Sequence, residues 1–298
     1  MSEIMKFALL RCCPTPTVLK QYELSTNAVL QKLGIEAVDI KEFNCCGYPI
    51  KNFNFKAYVL ASARNLALSE RENLDLLTVC NCCYGSLKHV DHLMKDEASL
   101  RNEINSTLEK EGLQYEGDIG PKHLLQVLYD DIGIETIQDM VINPFDGLKI
   151  ATHYGCHLLR PREVVQFDNP FSPTKLDQLV EITGAKSVDW LTKLECCGSP
   201  LWGVNDELSL DLTENKLKNA KQAGADYLCV VCTYCQLQFD RVQNILISQR
   251  SPEYQLPSIL YTQLLGLSLG IDGETLGLAE NQVSISEIES FLLHKEAS

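Results

Sequence analysis

The chain has no predominantly apolar, uncharged stretch of about 18 or more residues, the length a spanning helix needs, so no direct membrane span is expected. Positive charge is also in short supply. The 26 Lys and Arg stand against 40 Asp and Glu, a net charge of -14, which argues against nucleic acid or an anionic membrane surface as the main partner. No Gly-x-Gly-x-x-Gly fingerprint for a nicotinamide or flavin nucleotide occurs, and no ferredoxin-type cysteine run that would relay electrons. The start Met1-Ser2-Glu3 is acidic where an export signal is basic, and the apolar run Phe7 to Leu10 is too short for a signal core. A cytoplasmic location is therefore expected, where thiols stay reduced and cysteines act as ligands or catalysts rather than as disulfides.

Against these absences stand 13 cysteines, and ten of them form one pattern used twice. A lone cysteine is followed by an adjacent Cys-Cys-Gly and then by Cys-x-x-Cys. The first copy is Cys12, Cys45-Cys46-Gly47 and Cys80 with Cys83; the second is Cys156, Cys196-Cys197-Gly198 and Cys232 with Cys235. Thiolates bind soft metals, and five sulfurs exceed the four of a tetrahedral zinc. An adjacent pair is awkward around one tetrahedral ion, whereas two irons of a larger cluster can each take a sulfur. Iron-sulfur chemistry is favoured on this ground, with zinc in one site as the alternative. Neighbouring cysteines rarely reach the geometry of a bridge. A thioredoxin-type redox pair at Cys80 or Cys232 would leave Cys12, Cys45, Cys46 and their counterparts unexplained.

Each cysteine group ends a strand-like run: Lys6 to Leu10 before Cys12, residues 34–43 before Cys45, Leu74 to Val79 before Cys80, and their echoes from Lys149, Gly184 and Asp226 in the second copy. Helix-period segments lie between them, over 17–33, 55–72 and 84–95, then over 173–183, 206–223 and 236–248. Strand alternating with helix predicts an α/β fold of two pseudo-repeated Rossmann-like halves with parallel strands, each carrying a Cys-Cys-Gly module. The expected domains are 1–145 and 146–298, joined through Val141 to Gly147, where Pro144 and Gly147 interrupt both periods. Gly47 and Gly198 are expected to let the backbone turn closely after each cysteine pair. Two further echoes, from Pro121 and from Pro257, read as a proline followed by an apolar helix that closes each half.

The doubled layout, with Cys-Asn-Cys-Cys-Tyr-Gly-Ser-Leu at 80–87 and His-Tyr-Gly-Cys-His-Leu-Leu-Arg-Pro at 153–161, resembles the catalytic B subunit of heterodisulfide reductase over nearly the whole chain. The resemblance continues through Cys232-x-x-Cys-x-Leu-Gln-Phe-Asp-Arg241 and Tyr261-Thr-Gln-Leu-Leu-Gly-Leu. It implies two noncubane [4Fe-4S] clusters with five cysteine ligands apiece: Cys12, Cys45, Cys46, Cys80 and Cys83 for one, Cys156, Cys196, Cys197, Cys232 and Cys235 for the other. It also implies that these clusters flank a small-molecule or protein disulfide, each taking one sulfur as the bond is reduced. The implied partners are a C-like ferredoxin-type iron-sulfur subunit and an A-like flavoprotein. Cys46-Gly-Tyr-Pro and Cys197-Gly-Ser-Pro-Leu-Trp point away from the methanogenic substrate and towards a bacterial homologue. A related use of the same module, relaying electrons from a succinate, lactate or glycolate type dehydrogenase to quinone, is the alternative.

Other residues carry smaller expectations. His157 follows Cys156 and is the candidate proton donor to a leaving thiolate, while His153 is expected to bond a backbone group or a cluster sulfur. Arg160 and Arg162 are candidates for an anionic substrate group, against a solvated loop; His89 and His92 read as helix surface. Cys12 rather than Cys13 is taken as the first ligand by its place at the strand end. Cys82 reads as an extra thiol, and Cys229 as a small buried hydrophobe.

Overall fold

The computed structural model describes residues 4–250 and 255–293. Two four-stranded, all-parallel sheets organise them. The first holds β1 (Lys6–Leu10), β2 (Glu36–Val38), β3 (Leu76–Thr78) and β4 (Pro121–His123) in the order β2-β1-β3-β4. The second repeats it with β5 (Lys149–His153), β6 (Lys186–Val188), β7 (Tyr227–Val230) and β8 (Ser258–Leu260) in the order β6-β5-β7-β8. The central strands are apolar and buried along nearly their whole length, because crossover helices cover both faces of a parallel sheet. The outer strands β2 and β6 begin on exposed Glu36 and Lys186.

The helices that follow the two Cys-Cys-Gly turns, Phe55–Arg71 and Asp206–Gln222, are built alike. Asn54 caps the first by accepting from the Ala57 N–H, and Asn205 caps the second by accepting from the Leu208 N–H. These helices match the spans read from the sequence. The helix expected over 236–248 is broken instead: Thr233–Gln236 leads into a π-helical turn, Leu237–Val242, before Gln243–Gln249 resumes. Helix Ala98–Leu108 is an addition to the expected segments.

The echoes at Pro121 and Pro257 are corrected more substantially. Each contributes the fourth strand of its sheet, β4 or β8, before any helix begins. Pro121 is tolerated because it opens an edge strand, where a missing N–H costs no ladder bond. Three residues are too few for alternation to register, so the strands are hidden in front of the helical periods.

The two sheets share one core, in which buried residues of both form a continuous cluster from Phe7 to Ile288. Polar contacts cross the seam in pairs. Tyr84 Oη donates to Val165 O at 2.8 Å, and in return the Arg241 guanidinium donates to Val18 O at 3.1 and 2.7 Å. Asn81 Nδ2 donates to Tyr154 O at 2.7 Å, which brings the loop so near that a Cβ on Gly155 would lie 2.5 Å from that nitrogen. Helix Tyr261–Ser268 packs on helix Lys20–Lys32, with Ser25 Oγ and Thr262 Oγ1 2.7 Å apart.

The π-helical turn carries Asp240 inward, where its Oδ1 accepts from the N–H groups of Gln282 and Val283 at 2.7 and 2.9 Å. Oδ2 is buried without a partner among the described residues. Burial raises this carboxyl to about 6 from an ordinary 3.8. Because the folded value is the higher one, the native state holds the extra proton between about pH 4 and 6, and stability falls as pH rises through that window. Asp240→Asn keeps an acceptor for both N–H groups and removes the charge. Anaerobic denaturation is expected to find the variant more stable than the parent above pH 6, by about 1–3 kcal/mol, with the difference fading towards pH 4.

Candidate metal centre

In a doubly wound sheet, ligands gather beyond the carboxyl ends of strands at the point where the strand order reverses. Here that point lies between β1 and β3, and again between β5 and β7. Cys12 follows β1, Cys45 and Cys46 follow β2, and Cys80 follows β3. Cys156, Cys196, Cys197 and Cys232 stand in the same places after β5, β6 and β7. Cys80 is the extended N-cap residue of helix Asn81–Asp96, and Cys83 lies in its first turn. Cys232 and Cys235 do the same in helix Thr233–Gln236. For the longer helix, Asn81–Asp96, the positive end lies at Cys80, which hydrogen bonds from Cys12, Cys232, Cys82 and Cys83 hold well below its usual value against burial.

The adjacent pairs are fixed from behind. Gly47 and Gly198 take left-handed φ values of 82° and 95°, and a Cβ on Gly198 would lie 2.7 Å from Ser209 O. Only glycine lets the turn lie this close to the following helix. Those helices then hold the pairs through hydroxyls: Ser62 Oγ donates to Cys46 O at 2.6 Å, and Thr213 Oγ1 donates to Cys197 O at 3.1 Å.

The sulfurs converge. Cys12, Cys80 and Cys83 place their Sγ atoms within 4.8 Å of one another, and the Cys46 thiol meets both Cys83 and Cys45. In the second copy, Cys156 meets Cys196, Cys196 meets Cys197, and Cys235 meets both Cys197 and Cys232. The two groups touch at the seam, where Cys80 Sγ and Cys232 Sγ are 3.9 Å apart. All thirteen cysteines are free of disulfides.

By spacing alone Cys82 is an extra thiol, yet the fold puts it at the junction, its Sγ within 4.8 Å of those of Cys80 and Cys232. Cys12 is buried inside its thiol group, whereas the neighbouring Cys13 is exposed and touches Cys12 and Cys45 from outside. Cys229 is buried within β7, as expected.

Crowding sets the protonation. Hydrogen bonds from Cys13 and Cys46, with the Gly47 N–H, hold Cys45 down at about 2. Cys156 and Cys197, with the Gly198 N–H, do the same to Cys196, also at about 2. Their donors move the other way: Cys197 is pushed up to about 12 by its bond to Cys196 and by burial, and Cys46 and Cys156 rise for the same two reasons. Cys45 and Cys80 in the first copy and Cys196 in the second are thus poised as thiolate beside others that hold protons, and loading a metal would displace those protons.

The second thiol group opens onto a cavity of about 220 Å³ between the halves, lined by Cys156, Cys196, Cys197, Cys232 and Cys235, and by Cys82 from the other side. Tyr48, His157, Trp202 and Tyr234 complete its wall. A donor set dominated by sulfur, with His153 Nε2 beside Cys197 and Cys235, and richer than one tetrahedral ion uses, fits an iron-sulfur cluster.

His157 is half-buried in this wall, its ring edge-on to Tyr48 at 4.9 Å. Burial lowers its pKa, against an upward pull from the sulfurs of Cys80 and Cys196. His153 lies behind the wall, with Nε2 3.3 Å from Cys235 Sγ. Arg160 is exposed, and Arg162 lines a separate groove with Glu163 and Asp168, so neither faces the cavity. His92 pairs with Asp96 on an exposed helix face, and His89 stacks on Tyr58. Tyr48 and Trp202 are site residues that the cysteine pattern does not single out; their signal is an aromatic residue just beyond each Cys-Cys-Gly turn.

The family model of the cysteine-rich domain called CCG matches residues 7–88 and 150–240. Over 283 residues the chain is 38% identical to the B subunit of the ferredoxin/F(420)H(2)-dependent CoB-CoM heterodisulfide reductase of Methanosarcina acetivorans, covering 93% of this chain and 94% of that one. It is 31% identical to a protein of Archaeoglobus profundus described as like the heterodisulfide reductase B subunit, over 91% of this chain and 93% of that one. It is 30% identical to the 8-methylmenaquinol:fumarate reductase membrane anchor subunit of Wolinella succinogenes, over 95% and 99%. A crystal structure of a hypothetical protein from Helicobacter pylori shares the fold, with a TM-score of 0.76 and 18% identity over 95% of this chain; the chain spans about half, 53%, of that one. With two matched segments and relatives aligned almost end to end, the chain belongs to the Cys-Cys-Gly cysteine-rich family that includes the B subunits of heterodisulfide reductases.

Proposed function

We propose that this chain is the catalytic iron-sulfur subunit of a heterodisulfide-reductase-like complex. In this reading Cys12, Cys45, Cys46, Cys80 and Cys83 hold one cluster, and Cys156, Cys196, Cys197, Cys232 and Cys235 hold the other, on domains spanning 1–145 and 146–298. The observation that carries it is the meeting of two thiol groups at one seam, 3.9 Å apart at Cys80 and Cys232, beside a cavity walled by both halves. When bound as noncubane [4Fe-4S], the clusters would supply the two electrons that cleave a disulfide, one each: R–S–S–R′ + 2 e⁻ + 2 H⁺ → RSH + R′SH.

The rest is done by the chain's own residues. Tyr48, Trp202 and Tyr234 offer aromatic walls that orient the organic part of the substrate and exclude water. His157, beside Cys156, holds one of the two protons at its ring nitrogen, and solvent supplies the other. Electrons come from outside the chain, which carries no nucleotide fingerprint; a C-like ferredoxin-type subunit and an A-like flavoprotein are the proposed donors. Thirteen unbridged thiols suit the reducing cytoplasm.

A second reading comes from the Wolinella relative, whose name places it with a menaquinol-linked fumarate reductase. Under it the sites pass electrons between a dehydrogenase and quinone and cut no disulfide.

Anaerobic protein reduced by a viologen dye separates the two: reoxidation by members of a disulfide panel is expected, and reoxidation by quinone alone would favour the relay. In the same assay His157→Gln is expected to lower disulfide turnover at least about 10²-fold with iron content unchanged. Cys197→Ala is expected to erase the second site's spectroscopic signal and leave the first; loss of both together would show that the halves do not load independently.

A further inference from the structure

The two copies are alike in backbone and unlike in charge. Asn54 and Asn205 cap equivalent helices, and Ser62 and Thr213, at the same step along them, hold the carbonyls of Cys46 and Cys197. Three residues further on stand Asn65 in one copy and Lys216 in the other. Asn65 steadies the loop before its cysteine pair with neutral bonds, accepting from Asn44 N and donating to Asn44 O, both at 2.9 Å.

Lys216 does the same work with a full charge. It is 1% exposed, donates to Thr192 O and to Glu195 O, the latter at 3.1 Å, and sits 4.6 Å from the Trp190 ring centroid. No carboxylate forms an ion pair with it among the described residues, and an unpaired buried cation is costly. Burial lowers its ammonium to about 8 from an ordinary 10.5, and the groups that pull it back towards the charged form, when they carry negative charge, are the sulfurs of Cys197, Cys235 and Cys196 together with Glu195. A second difference concerns a neighbour to sulfur. The last residue of β5, His153, brings Nε2 to 3.3 Å from Cys235 Sγ, where the last residue of β1 is Leu10.

We propose that Lys216 is a fixed counter-cation for the second cluster and makes it the more readily reduced of the two. This rests on the reading that each copy holds a cluster. Reduction adds negative charge, and cluster potentials follow net charge and hydrogen bonds to sulfur. A cation held in a dry interior stabilises the reduced form far more than the same charge in water. The first site has neutral Asn65 and aliphatic Leu10 in the corresponding places. Lys216 is thus a positioning and tuning residue that acts through the cysteine loop.

The test is a redox titration of anaerobically purified protein followed by electron paramagnetic resonance. Iron and sulfide content establishes first that both clusters are present; their absence would overturn the proposed function rather than this inference. Two midpoints are expected, with the more positive one missing from Cys197→Ala. Lys216→Asn, which copies the first half, is expected to move that midpoint to more negative potential and leave the other in place, while Lys216→Arg keeps it near the parent value. The reciprocal Asn65→Lys is expected to move the first cluster's midpoint to more positive potential, and it carries the test alone if Lys216→Asn does not retain its cluster. The proposal is overturned if the second cluster has the lower midpoint, or if Lys216→Asn retains both clusters with unchanged midpoints. It is overturned equally if Asn and Arg at 216 shift the midpoint alike, or if Asn65→Lys loads and shifts nothing.

Discussion

Thiols crowded sulfur against sulfur are the constraint on which this molecule turns. Cys45 and Cys80 in one group and Cys196 in the other are held as thiolate by their neighbours' hydrogen bonds, and neighbours such as Cys197 are driven to keep their protons. Such an arrangement contributes little to a core on its own account, since a thiol is a weak donor and a weak acceptor. It would become favourable once a metal replaced the protons. The helix starts at Cys80 and Cys232, the left-handed Gly47 and Gly198, and the hydroxyls of Ser62 and Thr213 all maintain this crowding.

The parallel sheet is what makes the crowding possible. With strand order β2-β1-β3, the loops leaving three adjacent strands reach one edge, so residues far apart in sequence meet without long excursions. Duplication then turns one site into two, and the crossed contacts of Tyr84, Arg241 and Asn81 press the edges together. Each such bond contributes about 1 kcal/mol, small beside the continuous apolar core that joins the halves. Their use is positional, because they fix the separation of the thiol groups across the seam.

Much of this is legible in the sequence, because long amphipathic helices and cysteines at strand ends leave strong local patterns. Helix Phe55–Arg71 and helix Asp206–Gln222 follow from periodicity almost to the residue. The fourth strand of each sheet does not, because Pro121–His123 and Ser258–Leu260 are too short to alternate and run directly into helical periods. The π-helical turn at Leu237–Val242 is invisible for a different reason: a single inserted residue barely disturbs the apolar spacing. The seam is the least legible feature. Cys82 looks superfluous until the second half brings Cys232 against it. Arg160 and Arg162 look available to an anionic group, yet the fold turns neither of them towards the cavity. Lys216 gives no sign, since a lysine on a helix is ordinarily solvated and only the tertiary structure buries this one.

Asymmetry between the halves is as informative as their likeness. Beside Cys12 the first site has the exposed extra thiol of Cys13, whereas beside Cys156 the second has the His157 imidazole in the cavity wall. The halves are therefore chemically unequal where they meet. That the crowded thiols hold iron-sulfur clusters is measured most directly by metal and acid-labile sulfide analysis of protein purified without oxygen. A brown protein with about eight irons and about eight sulfides per chain and no stoichiometric zinc is expected. A colourless protein holding zinc alone would contradict it.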